Sequence, residues 1–132
     1  MSVEANKALI QRYIEEVWNK GTIDVLDELY EPNYNRGSYG DGAVAGLKAA
    51  ITSYRASFPD LHFTIEETIA EEDKIAYRWI ARGTHHGEYA GIAPTGKPIT
   101  VTGITILRIA NGQIIDDNSE TTVPSLTQQL GQ

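Results

Sequence analysis

The hydrophobic pattern of this chain changes its period once, close to Leu61. Before that point apolar residues recur every three to four positions in three stretches, and after it they alternate with polar residues. The first spacing indicates amphipathic helices and the second indicates half-buried strands. Three helices followed by about four long strands predict an α+β domain, in which a curved, mainly antiparallel sheet wraps the N-terminal helices.

Each helical stretch carries a boundary signal. The first covers residues 9–18 and precedes Gly21, a residue that suits the left-handed position after a helix. The second is short and ends before Pro32, and the third covers about residues 47–58. Residues 33–42 are rich in glycine and tyrosine and fit neither period, so they predict a loop of possible functional use.

The strand signals follow from Leu61 onward. Residues 61–66 and 75–82 alternate between apolar and other side chains, and residues 99–109 form a β-branched run. Asn111-Gly112 then favours a two-residue type I′ hairpin. The last strand therefore begins near Gln113 and is antiparallel to the one before it.

Length and charge restrict the function classes. A chain of 132 residues predicts one domain spanning residues 1–132, and the absence of cysteine excludes disulfides and thiol catalysis. A formal net charge of −7 would repel a nucleic-acid backbone. The N-terminus has no apolar signal region, and no apolar run approaches a membrane span. We therefore expect a soluble, cytoplasmic protein that binds neither nucleic acid nor membrane.

The stretch Gly91 to Lys97, GIAPTGK, fits the template of a phosphate-binding loop. Such a loop needs a Ser or Thr next and then a helix, whereas this chain has Pro98 followed by alternating β-branched residues. Pro94 and Gly96 are typical turn residues. The stretch is therefore predicted to be a turn between two extended segments.

Several separated motifs carry a family resemblance. They are F-P-D-L at 58–61, E-D-K-I-A-Y-R-W at 72–79, A-R-G-T-H-H-G-E-Y at 81–89, G-I-A-P-T-G-K at 91–97 and Q-Q-L-G at 128–131. Together they closely resemble the SnoaL-like polyketide cyclases of the nuclear-transport-factor-2-like superfamily. The resemblance implies a cone-shaped α+β barrel, a small hydrophobic polyketide-like ligand, no metal, no cofactor and frequent homodimers. It also implies ring closure by intramolecular aldol condensation.

The chain departs from this family at the expected catalytic position. The family pattern after the hairpin runs roughly G-K-I-V-E-H-W-x-x-x-D, and the final aspartate is the expected general acid/base. Aligned from Gly112, the chain has Thr122 at that aspartate. The fold transfers despite this change, but the aldol reaction does not follow from the fold.

Two other carboxylates are candidate acids or bases. With regular pairing across the hairpin, alternation puts Asn118 and Glu120 on the face of Thr122 and Asp117 on the opposite face, and if the family's acid faces the pocket, Glu120 does too. Glu120 is then the predicted pocket carboxylate, and Asn118 is a predicted hydrogen-bond donor to an enolate. The alternative is that Glu120 and Asp117 belong to a solvated acidic strand end.

His85 is the third candidate, because imidazole exchanges protons near neutral pH. Alternation places it on the face of Tyr77 and Trp79. The alternative is a hydrogen-bonded histidine near a loop. His85, His86 and Glu88 do not predict a metal site, since consecutive strand residues face opposite sides of a sheet.

Aromatic side chains are the candidate substrate-binding residues. A flat hydrophobic molecule could pack against them, although core packing is the commoner use of such residues. The aromatic candidates are Trp18, Tyr34, Tyr54, Trp79 and Tyr89, and the polar candidates are Asn118 and Thr122.

Two functions remain open. One is a cofactor-independent cyclase or isomerase that acts on a polyketide-like hydrophobic carbonyl compound by acid/base chemistry through an enolate. The alternative is a non-catalytic module of the same fold that binds a small molecule and has lost the catalytic aspartate. In both, Ile80, Ile104 and Ile106 on the outer face of the sheet predict a homodimer.

Overall fold

The computed structural model describes residues 3–32, 43–121 and 126–131. Helices come first and strands follow, which confirms the predicted α+β order. Tyr34 and Thr122, two of the residues predicted to bind substrate, lie outside the described residues. No described helix is long and apolar enough to cross a membrane.

The helices cover one side of the domain. Helix α1 comprises Val3–Arg12 and continues as a π-helix over Tyr13–Asn19. Helix α2 is a single turn, Leu26–Leu29, and α3 comprises Ala43–Ser57. A π-helical segment has a wider turn and often marks a functional site, and here it carries Tyr13 and Trp18.

The sheet has four antiparallel strands in the order of the chain. They are β1 (His62–Glu71), β2 (Lys74–Thr84), β3 (Pro98–Ala110) and β4 (Gln113–Thr121). A short helix α4, Leu126–Gln129, follows the sheet and was not predicted from the sequence.

The two faces of the sheet differ in burial. Along β2, Ile75, Tyr77, Trp79 and Ala81 are buried and pack towards the helices, as a period of two predicts. On the outer face, Ile69, Ile104 and Ile106 are 64%, 50% and 51% exposed. The core therefore lies between the helices and the inner face, and the outer face exposes these three isoleucines in one copy of the chain.

The hairpin between β3 and β4 contains a β-bulge. Ile109 pairs with Ile114, but the next residue back, Arg108, pairs with Asp116, so Ile115 is an extra residue in β4. One extra residue reverses the faces of all residues beyond it relative to regular pairing. Leu107 consequently pairs with Asp117. The regular pairing expected from the sequence is wrong for this reason.

Candidate active site

A cavity of about 370 Å³ lies between the helices and the inner face of the sheet. Its size is near the lower end of the range for small-molecule pockets. Its lining includes two groups of side chains. One is an aromatic wall formed by Trp18, Tyr54, Phe63, Trp79 and Tyr89, and the other is a polar strip formed by Asp117, Ser119 and Thr121 on β4.

The aromatic wall contains four of the residues predicted to bind substrate, although their role in binding stays a prediction. Trp18 and Phe63 have ring centroids 4.6 Å apart, and Phe63 lies 5.1 Å from Trp79. Tyr54 stacks on Tyr89 at 6.1 Å. Contacts between neighbouring rings fix these side chains, so the wall offers a preformed apolar surface.

The polar strip faces the cavity because of the bulge at Ile115. Asp117 pairs with Leu107, whose side chain is fully buried on the inner face. Ser119 and Thr121 follow at intervals of two, so all three point the same way. β4 therefore presents a carboxyl group and two hydroxyl groups to the cavity.

Asp117 is the carboxyl group of the cavity wall. Burial raises its pKa, a hydrogen bond from Tyr30 partly offsets that rise, and the neighbouring Asp116 adds to it. The Tyr30 hydroxyl donates to Oδ2 of Asp117 at 2.6 Å. A carboxyl group whose pKa is raised in a cleft is the pattern of a general acid/base.

A chain of hydrogen bonds leads from Trp18 to Asp117. The indole N–H of Trp18 donates to the Tyr13 hydroxyl at 3.0 Å, and Tyr13 is hydrogen-bonded to Tyr30. Burial raises the pKa of Tyr30 well above its usual value, with the neighbouring Tyr13 and Asp117 adding to the rise. Tyr30 therefore keeps its proton and remains a donor to the carboxylate.

A second set of hydrogen bonds leads to Ser119. The indole N–H of Trp79 donates to Oγ1 of Thr105 at 3.0 Å. Thr105 Oγ1 lies 2.7 Å from Ser119 Oγ. Because an indole can only donate, the Thr105 hydroxyl accepts there and keeps its own proton for a neighbour. When Thr105 donates to Ser119, the Ser119 proton is free for a ligand.

Asn118 and Glu120 lie on the outer face, contrary to the expectation from the sequence. Asn118 pairs with Ile106 and Glu120 pairs with Ile104, and all four residues are exposed. Neither Asn118 nor Glu120 lines the cavity. The bulge at Ile115 exchanges them with Asp117 and Ser119, so the carboxyl group at the cavity is Asp117.

His85 is buried but lies outside the cavity wall. Its Nδ1 accepts the backbone N–H of Thr95 at 3.1 Å and lies 2.9 Å from the Thr95 hydroxyl. Its ring packs on Phe58 with centroids 5.7 Å apart. Strand β2 ends at Thr84, but the alternation of buried residues continues to His85, as predicted. These contacts join His85 to a neighbouring loop.

That loop is the stretch Gly91 to Lys97. His85 exchanges backbone hydrogen bonds with it, donating to the Lys97 carbonyl at 3.0 Å and accepting from the Gly96 N–H at 2.9 Å. Strand β3, rather than a helix, begins at Pro98. The stretch therefore connects strands, and it lacks the helix N-terminus that a phosphate-binding loop requires.

Among the described residues, no group of three or more His, Cys, Asp or Glu side chains is placed to hold a metal ion. His86 and Glu88 follow His85 after the end of β2. The backbone N–H of His86 donates to the Ser57 carbonyl at 3.0 Å, and the Ser57 hydroxyl bonds to the Glu88 carbonyl. These backbone contacts tie the segment to the end of α3.

Sequence and structure comparisons place this chain in a known family. The family model of the SnoaL-like polyketide cyclases matches residues 8–130. The chain belongs to this family. No curated protein matches it significantly.

Solved structures share the fold over nearly the whole chain. A proposed polyketide cyclase from Acidithiobacillus ferrooxidans is 28% identical with a TM-score of 0.82, covering 98% of this chain and 97% of its own. IdmH from Streptomyces antibioticus, also a proposed polyketide cyclase, is 26% identical with a TM-score of 0.79, covering 96% and 98%. AclR from Streptomyces galilaeus, a proposed hydroxylase, has a TM-score of 0.87 at 24% identity, covering 98% and 83%, and supports the fold alone.

Three residues near the carboxyl group were not predicted as site residues: Tyr30, Ser119 and Thr121. Tyr30 has the spacing of a helical core residue, and its contact to Asp117 spans 87 positions of sequence. Ser119 and Thr121 fall on the inner face only because of the bulge. A bulge of this kind has no signature in composition, so no signal in the sequence identified these residues.

Proposed function

We propose that the protein is a cofactor-independent cyclase or isomerase, acting on a flat, uncharged carbonyl compound with Asp117 as general acid/base. The observation that carries this proposal is the position of Asp117, a carboxyl group with a raised pKa that lines a cavity with a preformed aromatic wall. Membership of the polyketide cyclase family supports a polyketide-like ligand.

The chemistry begins with Asp117 as carboxylate. One of its oxygens takes a proton from the carbon next to a ligand carbonyl, and the electron pair of the C–H bond forms the enolate. The Ser119 hydroxyl donates a hydrogen bond to the enolate oxygen and keeps its proton. In an isomerase, Asp117 returns the proton to another carbon. In a cyclase, the enolate carbon attacks a second carbonyl, and Asp117 gives its proton to the new alkoxide.

The charge of the cavity favours an uncharged ligand. Among the described residues, the cavity wall contains one carboxyl group and no lysine, arginine or histidine. A ligand carboxylate would find no cation there and would lie near Asp117, and two like charges repel each other. The polar atoms of the ligand are expected to lie along the polar strip and its flat apolar part against the aromatic wall.

The second candidate is a binding module without catalysis. The observation that favours it is Thr122, which stands where the family has its aspartate. In that case the cavity would hold the same class of ligand, and Asp117 would serve only as a hydrogen-bond acceptor.

Exchange of α-protons separates the two candidates. The probe is 2-tetralone in D₂O, a flat uncharged ketone, with exchange followed by proton NMR. The wild-type protein is expected to accelerate exchange, and Asp117→Asn is expected to lower the rate about 10²- to 10⁴-fold, the usual cost of losing a general acid/base. Glu120→Gln, on the outer face of the same strand, is the matched control and should keep the wild-type rate. Exchange at the buffer rate with the wild-type protein, or full activity in Asp117→Asn, would contradict the proposal.

A further inference from the structure

Tyr30 contacts the candidate acid/base from outside the cavity. Its side chain is 1% exposed and does not line the cavity, but its hydroxyl reaches Oδ2 of Asp117 at 2.6 Å. We propose that Tyr30 is a positioning residue that holds Oδ2 of Asp117, so that Oδ1 is the oxygen that exchanges protons with the ligand. This inference rests on the proposed function of Asp117.

The backbone fixes Tyr30 against β4. Tyr30 forms a parallel bridge with Ile114, and the backbone N–H of Glu31 donates to the Ile114 carbonyl at 3.0 Å. Ile114 immediately precedes the bulged residue Ile115. The bulge turns Asp117 inward, and the bridge brings the Tyr30 hydroxyl to it, so the same short part of β4 sets the position of both groups.

The hydrogen-bond chain behind Tyr30 has one preferred direction. It begins at the indole N–H of Trp18, a group that can donate but cannot accept. Tyr13 accepts that hydrogen bond and is hydrogen-bonded in turn to Tyr30, whose ring lies 6.1 Å from its own in an edge-on arrangement. Each hydroxyl can therefore donate towards Asp117.

This direction decides where the acid form of Asp117 carries its proton. Oδ2 accepts the Tyr30 proton, so a second proton on Oδ2 would require the hydrogen-bond chain to reverse. Protonation on Oδ1 leaves every hydrogen bond in place. Oδ1 is therefore the oxygen of Asp117 that carries the exchangeable proton.

The groups around Asp117 come from four elements. Asp116 is its neighbour on β4 and raises its pKa, whereas the Tyr30 hydrogen bond lowers it. Tyr13 on the π-helical segment contacts Tyr30, and the buried Tyr77 on β2 lies close enough to Asp117 for its own pKa to be raised by that charge. Burial and Asp116 raise the pKa of Asp117, and the Tyr30 hydrogen bond opposes them. Removal of the Tyr30 hydroxyl should therefore raise this pKa further.

The test is a ¹³C NMR titration of the aspartate carboxyl carbons in the full-length protein. In Tyr30→Phe the pKa of Asp117 is expected to rise above that of the wild type, because the hydrogen bond that favours the charged form is lost. Tyr89→Phe is the matched control, since the Tyr89 hydroxyl is bonded to Tyr54 and not to Asp117. If Tyr30→Phe does not fold, Tyr13→Phe should raise the pKa of Asp117 by a smaller amount.

Kinetics add a readout that a merely structural role would not move. With 2-tetralone, Tyr30→Phe is expected to lower kcat for α-proton exchange about 10- to 100-fold with little change in KM, as for a misplaced catalytic group. Its pH profile should move to higher pH together with the titration of Asp117. An unchanged titration in Tyr30→Phe would overturn the role of Tyr30. Failure of the wild-type protein to catalyse exchange would contradict the proposed function instead.

Discussion

Strands β2 and β4 form part of the same sheet but differ in how closely they follow a regular pattern. Along β2, Ile75, Tyr77 and Trp79 are buried at strict intervals of two and supply much of the core. Along β4 the alternation is interrupted at Ile115, and every residue after it changes face relative to regular pairing. The regular strand β2 contributes apolar residues to the cavity wall, and the irregular strand β4 contributes the carboxyl group. A functional residue can therefore depend on a departure from the pattern that specifies the fold.

The first prediction concerns the removal of one polar side chain from each face of β4. Ser119→Ala should lower the rate of α-proton exchange about 10- to 100-fold, which is less than the usual loss for an enclosed oxyanion hole because Ser119 is exposed to solvent. Asn118→Ala, on the outer face, should leave the rate unchanged. Equal losses in the two variants would mean that β4 does not present Ser119 to the ligand.

A second prediction concerns Gly103, which lies between the two strands on β3. A Cβ at this position would lie 2.4 Å from Trp79 Cζ2 and 2.9 Å from the Glu120 carbonyl oxygen. Gly103→Ala is therefore expected to lower the free energy of unfolding by about 1–3 kcal/mol, the usual cost of overpacking. Urea denaturation measures this effect. A variant as stable as the wild type would show that the Trp79 ring is not held against β3.

The third prediction concerns the outer face, where β3 exposes Ile104 and Ile106. Exposed apolar surface of this kind usually marks an interface, so we propose that two copies associate through the sheet. Light scattering at micromolar concentration should give the mass of a dimer for the wild type and of a monomer for Ile104→Glu. A monomeric wild-type protein would contradict this proposal without affecting the cavity.

The smallest expected effect is on stability as a function of pH. Burial raises the pKa of Asp117 in the folded state, so the folded protein binds a proton more readily than the unfolded chain, in which aspartate has a pKa near 3.9. The contribution of Asp117 to stability should therefore fall as pH rises from about 4 through its folded pKa. Asp117→Asn should remove this fall and be more stable than the wild type at neutral pH, as denaturation across this pH range would show.

The pKa of Asp60 is shifted in the opposite direction, so Asp60 should give the opposite dependence of stability on pH. Hydrogen bonds from Thr84 lower the pKa of this exposed carboxyl group. Its contribution to stability should be present above the unfolded pKa and be lost as pH falls through the folded pKa.

If the stability of Asp117→Asn keeps the pH dependence of the wild type, burial does not raise the Asp117 pKa as described.

The sequence predicts the fold well, because the fold depends on repeated features. Each helix and each strand is specified by many residues that share one hydrophobic period. One misassigned position therefore changes the predicted element little. The buried positions of β2 follow directly from this repetition, and the hairpin is indicated by Asn111-Gly112. The added helix α4 is only four residues long and has too few positions to show a period.

The site is less predictable because it depends on single positions. Because of one extra residue at Ile115, Asp117 rather than Glu120 lies on the inner face of the sheet. No local sequence preference marks this bulge. Tyr30 reaches Asp117 through a bridge between α2 and β4 that joins distant parts of the chain. His85 has the chemistry of a catalytic residue, but a loop contact to Thr95 decides its position. Long-range contacts of this kind are not encoded in local patterns.

The most direct test of the central claim compares two curves measured on the wild-type protein. One is the pH dependence of kcat/KM for α-proton exchange of 2-tetralone, and the other is the ¹³C titration of the Asp117 carboxyl carbon. Since the carboxylate is the base, kcat/KM should rise with pH, and both curves should share one midpoint above the usual range of aspartate. A kinetic midpoint that differs from the titration of Asp117, or the same pH profile in Asp117→Asn, would contradict the assignment of Asp117 as the acid/base.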